Sequence, residues 1–330
     1  MPPGSSFALM RRALCCLPLA LMATTPLPVV AQTYPGKPIT LVVPFPPGGP
    51  TDLVARVLAQ KMAEQMGQTI VIDNKPGANG NIAAALVSKA PADGYTVLYN
   101  TSSITLSPAL YKSLTYDVQK HLAPVALTAV VPLGLVVHPA LPVNNVREFI
   151  AYAKANPGRL SYGSAGNGNV THLAAFQLVA HQGLVATHIP YKGSAPADVD
   201  LVAGQIQFMT DTINSVMPFV KDKKLKLLAM TTAKRVSLFP DTPTLSETVM
   251  PGFEAGAWQG MMVPAGTPAA IVQRLNTEVM KALHSAEVRD KLAVQGAEPL
   301  GSTPEEYGSY ITRELARWSD VVKSTGVTLD

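Results

Sequence analysis

Apolar positions along the chain follow two alternating rhythms. Residues 39–44 (ITLVVP) form a short unbroken apolar run, the signature of a strand covered on both faces. Residues 51–66 then place Leu53, Val54, Val57, Leu58 and Met62 at helical spacing. The alternation continues with a strand over 69–73, a helix over 79–89, and an Asp93-Gly94 turn into a strand over 95–99. A second block repeats the pattern. Strands are expected at 134–138, 160–163, 187–190, 206–210 and 226–230, and helices at 146–155, 170–181 and 197–203. Asn145 and Glu148 form a capping-box-like start, and Pro157-Gly158 a stop. Helices are also expected over 269–285 and from Pro304 to about Lys323, each opened by a Thr-Pro pair. Such βαβ alternation predicts an α/β fold: two lobes, each a mostly parallel sheet flanked by helices.

Composition narrows the function classes. The 330 residues are 47% hydrophobic and 15% charged with a net charge of +4, too apolar for a disordered chain and too weakly basic for a dedicated nucleic-acid binder. Arg11 and Arg12 precede an apolar run over 13–23, followed by Val29-Val30-Ala31. This reads as a secretory signal peptide over 1–31, cleaved after Ala31, and places the protein in the periplasm. Cys15 and Cys16 leave with it, so residues 32–330 carry no thiol and need no disulfide.

Two strand-to-helix loops have the makings of anion sites. The first, 44–52 (PFPPGGPTD), joins stiffening prolines to Gly48 and Gly49 ahead of a helix start, where unpaired N–H groups meet the positive end of the helix dipole. The second, 162–172 (YGSAGNGNVTH), offers three glycines with the Ser164 and Thr171 hydroxyls. Neither contains Lys or Arg, so an anion there rests on neutral donors. Phosphate-loop, dinucleotide and nucleophile-elbow motifs are absent. The six histidines have no zinc spacing, so neither metal nor cofactor is expected. Ser164, His172 and Asp211 supply the residue types of a hydrolase, without a spacing that fixes triad geometry.

A series of ordered motifs carries a family resemblance. These are Tyr34-Pro35-x-Lys37-Pro38-Ile39, Val43-Pro44-Phe45-Pro46-Pro47-Gly48-Gly49-x-x-Asp52, and Val71-x-x-Asn74-Lys75-Pro76-Gly77-Ala78-x-Gly80. Pro91-x-Asp93-Gly94-Tyr95-Thr96, Tyr162-Gly163-Ser164-x-Gly166-x-Gly168, Pro190-Tyr191-Lys192-Gly193, Pro240-Asp241-x-Pro243-Thr244 and Pro264-Ala265-Gly266-Thr267-Pro268 follow. In these the chain resembles the Bug-type extracytoplasmic solute receptors of tripartite tricarboxylate transporters. The resemblance implies a type II-like, two-lobe periplasmic binding protein without catalysis, a monomer that holds a small carboxylate solute between its lobes and delivers it to membrane subunits of the transporter. Carried over residue by residue, it implies ligand contacts at Phe45, Gly48, Gly49, Thr51 and Asp52, at Ser164, Ala165, Gly166, Asn169 and Thr171, and at Tyr191, Gly193 and Asp211. Trp258 is a further candidate wall, or hinge packing. The chain is expected to cross between lobes near 130–134 and 254–259, giving lobe 1 as 32–133 with 255–330 and lobe 2 as 134–254. A periplasmic sensor feeding a signalling protein, or a secreted hydrolase, are the alternative functions.

Overall fold

The computed structural model describes residues 34–236 and 238–325; the expected signal peptide, its cleavage after Ala31, and both cysteines lie outside them. In chain order the elements begin β1 (Ile39–Val43), α1 (Pro50–Met66), β2 (Ile70–Asn74), α2 (Asn81–Val87), β3 (Thr96–Thr101), α3 (Ser103–Leu110) and α4 (Val118–His121). The middle comprises β4 (Leu122–Val137), α5 (Val146–Ala155), β5 (Leu160–Ser164), α6 (Val170–His181), β6 (Ala186–Pro190), α7 (Ser194–Val202), β7 (Phe208–Thr212), α8 (Ile213–Lys221) and β8 (Lys226–Met230). The rest is α9 (Leu245–Thr248), β9 (Gly256–Pro264), α10 (Ala269–His284), α11 (Ala286–Val294), β10 (Glu298–Pro299) and α12 (Pro304–Thr325).

The strands form one mixed sheet in the order β2-β1-β3-β9-β4-β7-β5-β6, with β8 and β10 also paired to β4. The βαβ segments are parallel, as the alternation predicts: β1 with β2 and β3, and β5 with β6 and β7. The middle differs, because β9 and β4 run antiparallel to their neighbours. One strand, β4, serves both halves. Residues 122–132 pair with β9, and 133–137 pair with β7 and β8. Its first half escaped the sequence reading because Pro124 and Pro132 interrupt the run. The register shift beside Pro124 accommodates the missing donor.

Local chemistry sets the element ends. Thr303 and Glu306 cap α12 reciprocally: the Thr303 hydroxyl accepts from Glu306 N at 3.1 Å and the Glu306 carboxylate from Thr303 N at 2.8 Å. At α10 the expected Thr cap is absent. Pro268 occupies the cap position, and the Thr267 hydroxyl donates to Pro264 O instead. α7 begins at Ser194, three residues earlier than expected. Pro196 then lies in the first turn, where its missing N–H costs no helical bond. The expected helix over 79–89 shortens to α2 behind a tight turn at Ala78–Gly80, in which Asn79 is left-handed (φ 53°). β7 sits two residues later than expected, pairing Phe208 with both Val137 and Tyr162. Among the described residues no helix is long and apolar enough to cross a membrane.

Candidate functional site

A cavity of about 270 Å³ opens where the β1–α1 loop meets the β5–α6 loop and the start of α7. Of the expected contacts, Phe45, Gly48, Gly49 and Thr51 line it from the first loop, and Ala165, Asn169, Thr171 and Gly193 from the far side. Asp52, Ser164, Gly166, Tyr191 and Asp211 stand behind that lining.

The helix ends give the cavity its chemistry. The cap positions of α1, α7 and α8 are Gly49, Gly193 and Thr212, all three on the cavity wall, and no side chain caps these helices. The positive ends of three helices are therefore gathered around one space. Gly48 (φ 77°) and Gly193 (φ 111°) take turns that a side chain would strain. The start of α6 is satisfied internally: the Asn169 side chain accepts from Thr171 N at 3.1 Å, and Thr171 Oγ1 accepts from Ala165 N at 2.9 Å. Lys192, in a motif quoted above, is the ionisable residue of the lining.

Asp52 acts as a brace. It is 1% exposed and accepts from Gly48 N at 2.9 Å, Arg56 Nε at 2.7 Å and Asn74 Nδ2 at 2.9 Å. Asn74 Nδ2 also reaches Phe45 O at 2.9 Å, so the pair ties the loop down at both ends. Burial raises the Asp52 pKa, but the hydrogen bonds from Arg56, Gly48 and Asn74 outweigh it and hold the carboxyl below its ordinary 3.8. Asp52→Asn is expected to lower stability by about 1–2 kcal/mol, a figure kept modest because Arg56 is half-exposed and water screens the pair. A depressed folded pKa contributes stability above the ordinary value and loses it as pH falls through the folded one. The gap between wild type and variant in urea melts should therefore be full at pH 7 and close below pH 3.8. A gap that does not depend on pH would contradict an ionised brace.

The second loop rests on a stack of rings. His172 and His188 lie 3.8 Å apart at 12°, and Tyr162 stacks on His188 at 5.0 Å. His172 Nδ1 accepts from Gly168 N at 3.1 Å. Burial pushes His172 down to about 3, with help from the charge of His188, and pushes His188 down to about 4. Both rings are thus neutral at neutral pH. The hydroxyl of Ser164 meets His188 Nε2 at 2.7 Å, not His172, and Ser164 is fully buried. Asp211 bonds to Ser194 and Thr212 instead. The three residues weighed as a triad are not brought together. Tyr191 donates to Asp200 at 2.7 Å, away from the cavity. Trp258 packs edge-on against Tyr307 and Tyr310 and is not among the residues that line the cavity.

Several lining residues escaped the sequence reading: Thr101 at the end of β3 and Ser102 after it, and Ser194, Ala195 and Thr212 at the starts of α7 and α8. So did Asn79. Its amide donates to Gly168 O at 3.0 Å while its oxygen accepts from Ser103 Oγ at 3.0 Å, which ties the turn before α2 to the second loop and to the start of α3. Its place in the Asn74–Gly80 motif was the available signal. Among the described residues no cluster of His, Cys, Asp and Glu is arranged to hold a metal.

Known proteins share this architecture across nearly the whole chain. Residues 54–327 match the model of the tripartite tricarboxylate transporter family receptor. Protein BugT of Bordetella pertussis is 38% identical over 304 residues, 92% of this chain and 93% of its own. Among solved structures, Rpa4515 of R. palustris with adipate is 40% identical, with a TM-score of 0.85 over 89% of this chain and 99% of that one. MatC from Rhodopseudomonas palustris with bound malate is 35% identical, with a TM-score of 0.81 over 88% and 100%. Both the α/β fold and the Bug-type resemblance read from the motifs agree with these matches, and the chain belongs to the tripartite tricarboxylate transporter receptor family.

Proposed function

We propose that this receptor works in the periplasm, grips a carboxylate of a small solute in the 270 Å³ cavity and delivers it to the membrane subunits of a tripartite tricarboxylate-type transporter. The observation that carries the reading is the convergence of three uncapped helix starts, with Lys192, on one cavity whose lining holds no acidic side chain. Such a space stabilises negative charge without a metal or an arginine fork. The relatives solved with adipate and with malate fit the same chemistry. No catalytic step is assigned to the site: Ser164 is sealed from the cavity, and its histidine partner stacks on rings rather than on a carboxylate.

Capture is a hinge motion in this reading, between lobe 1 (32–133 with 255–330) and lobe 2 (134–254). Support comes from β4, which exchanges partners between Pro132 and Leu133. Thr231 Oγ1 bridges Leu133 O and Ala255 O at the same place, so both crossings meet at one hydroxyl. A ligand touching both loops favours the closed state by its differential affinity for it. Thermal melts of unfolded and refolded protein against a carboxylate panel test the function. A ligand at 100 times its Kd should add about 2.7 kcal/mol of stability. A cooperative melt that no carboxylate shifts would overturn the reading.

A further inference from the structure

Behind the cavity wall two carboxyl groups are sealed together. Asp198 on α7 is 2% exposed and Asp211, at the end of β7, fully buried. One oxygen of Asp211 collects three donors: Ser194 Oγ at 2.8 Å, Thr212 N at 2.6 Å and Thr212 Oγ1 at 3.3 Å. One oxygen of Asp198 accepts from Ser215 Oγ. The other two, Oδ1 of Asp198 and Oδ2 of Asp211, are buried with no other donor, and the carboxyls interact with each other. Two buried acceptors in contact require a proton between them. Asp211, with three donors on its other oxygen, is the member stabilised as an anion. Asp198, with a single donor, keeps the proton. Burial raises both groups, and the charge of Asp211 raises Asp198 further.

We propose that Asp198 and Asp211 are positioning residues that share one proton and hold the hydroxyls of Ser194 and Thr212 as hydrogen-bond acceptors on the cavity wall, so that the solute presents a donor beside its carboxylate, as a 2-hydroxy or 2-amino acid does. The hydroxyl protons of Ser194 and Thr212 are committed to Asp211, and both residues line the cavity. What these hydroxyls offer the ligand is lone pairs. The uncapped N–H groups of the same α7 turn take the carboxylate. A ligand that carries an anion alone leaves those lone pairs unpaired in a partly desolvated wall, which is the basis of discrimination. The inference rests on the carboxylate-receptor reading.

The test compares matched acids, succinate against malate and aspartate, and glutarate against 2-hydroxyglutarate, by titration calorimetry on the refolded protein. The 2-substituted member should bind about tenfold tighter. In Ser194→Ala that ratio should fall to within about twofold, because the acceptor for the 2-substituent is gone. Asp198→Leu should also lose the ratio, and Asp198→Asn should restore it by donating an amide N–H to Asp211. Independently of any ligand, infrared difference spectra at neutral pH should show the carbonyl band of a protonated carboxylic acid, and Asp198→Asn should remove it. Equal binding of both members of a pair, or no protonated-carboxyl band, overturns the inference and leaves the receptor reading standing. Binding of none of the acids overturns both.

Discussion

Replacing Ala195 by aspartate is expected to abolish carboxylate binding at working concentrations while leaving the fold intact. Ala195 is an exposed residue in the first turn of α7 and lines the cavity. A carboxylate at that place satisfies the turn's free N–H groups and is itself favoured there, by roughly 0.3–1 kcal/mol. Thermal stability should therefore hold or rise. The solute now meets a fixed negative charge in the site it needs. Two like charges about 5 Å apart at an effective dielectric of about 20 repel by about 3 kcal/mol, a loss of about 100-fold or more in Kd. Ala195→Asn supplies the same bulk without the charge and should cost less than about tenfold. Calorimetric titration with the acid that shifts the wild-type melt furthest separates the cases. If Ala195→Asp and Ala195→Asn bind alike, crowding rather than charge governs the site, and the anion subsite at α7 is misplaced.

Why Ala195 escaped the sequence reading is instructive. The two glycine loops were legible because Gly48-Gly49 and Gly163–Gly168 each sit between an apolar run and a helical repeat, so motif and periodicity agree. Seven of the ten contacts that the family resemblance implies for these two loops line the cavity, and Gly193 adds an eighth of the thirteen expected in all. The start of α7 carries no such mark, since Gly193 and Pro196 read as loop rather than as the cap and first turn of a helix. α8 opens at an uncapped Thr212 and carries Pro218 inside, and both features conceal a helix. Asp52 and Asp211 were marked by the family motifs alone. What their place in the chain does not give is their partners: Asp52 accepts from Gly48 and Arg56, and Asp211 from Ser194, behind the cavity lining. The central strands were missed for a physical reason. β9 is buried along almost its whole length between β3 and β4, so it has no alternation to read. α11 was missed because Ser285 both ends α10 and caps the next helix, its hydroxyl accepting from Val288 N at 3.3 Å.

Gly260, in the middle of that unread strand, should be the least tolerant position outside the site. It pairs with Asn100 on β3 and with Leu127 on β4, and a Cβ built on it would lie 2.2 Å from the Tyr307 hydroxyl and 2.4 Å from Cζ. The clash is with the outer edge of a ring that cannot swing away. Tyr307 is fully buried, exchanges hydrogen bonds of 2.7 and 3.1 Å with the Asn100 amide, and meets Trp258 edge-on at 6.0 Å. Relief requires α12 to lift from the sheet or the Asn100–Tyr307 pair to break with both groups buried. Gly260→Ala should accordingly cost about 3 kcal/mol or more, the upper range for overpacking. Adding Tyr307→Leu should recover part of that loss, giving a favourable coupling of about 1 kcal/mol or more in a double-mutant cycle read from urea midpoints. Additive costs would mean that Tyr307 is not what excludes the methyl group. The effect should also reach the ligand. Trp258 O, two residues away, accepts from Ser102 N, and Ala257 and Ser102 both line the cavity. A displaced β9 therefore moves the cavity wall, and Gly260→Ala should weaken carboxylate binding even at temperatures where the variant is fully folded.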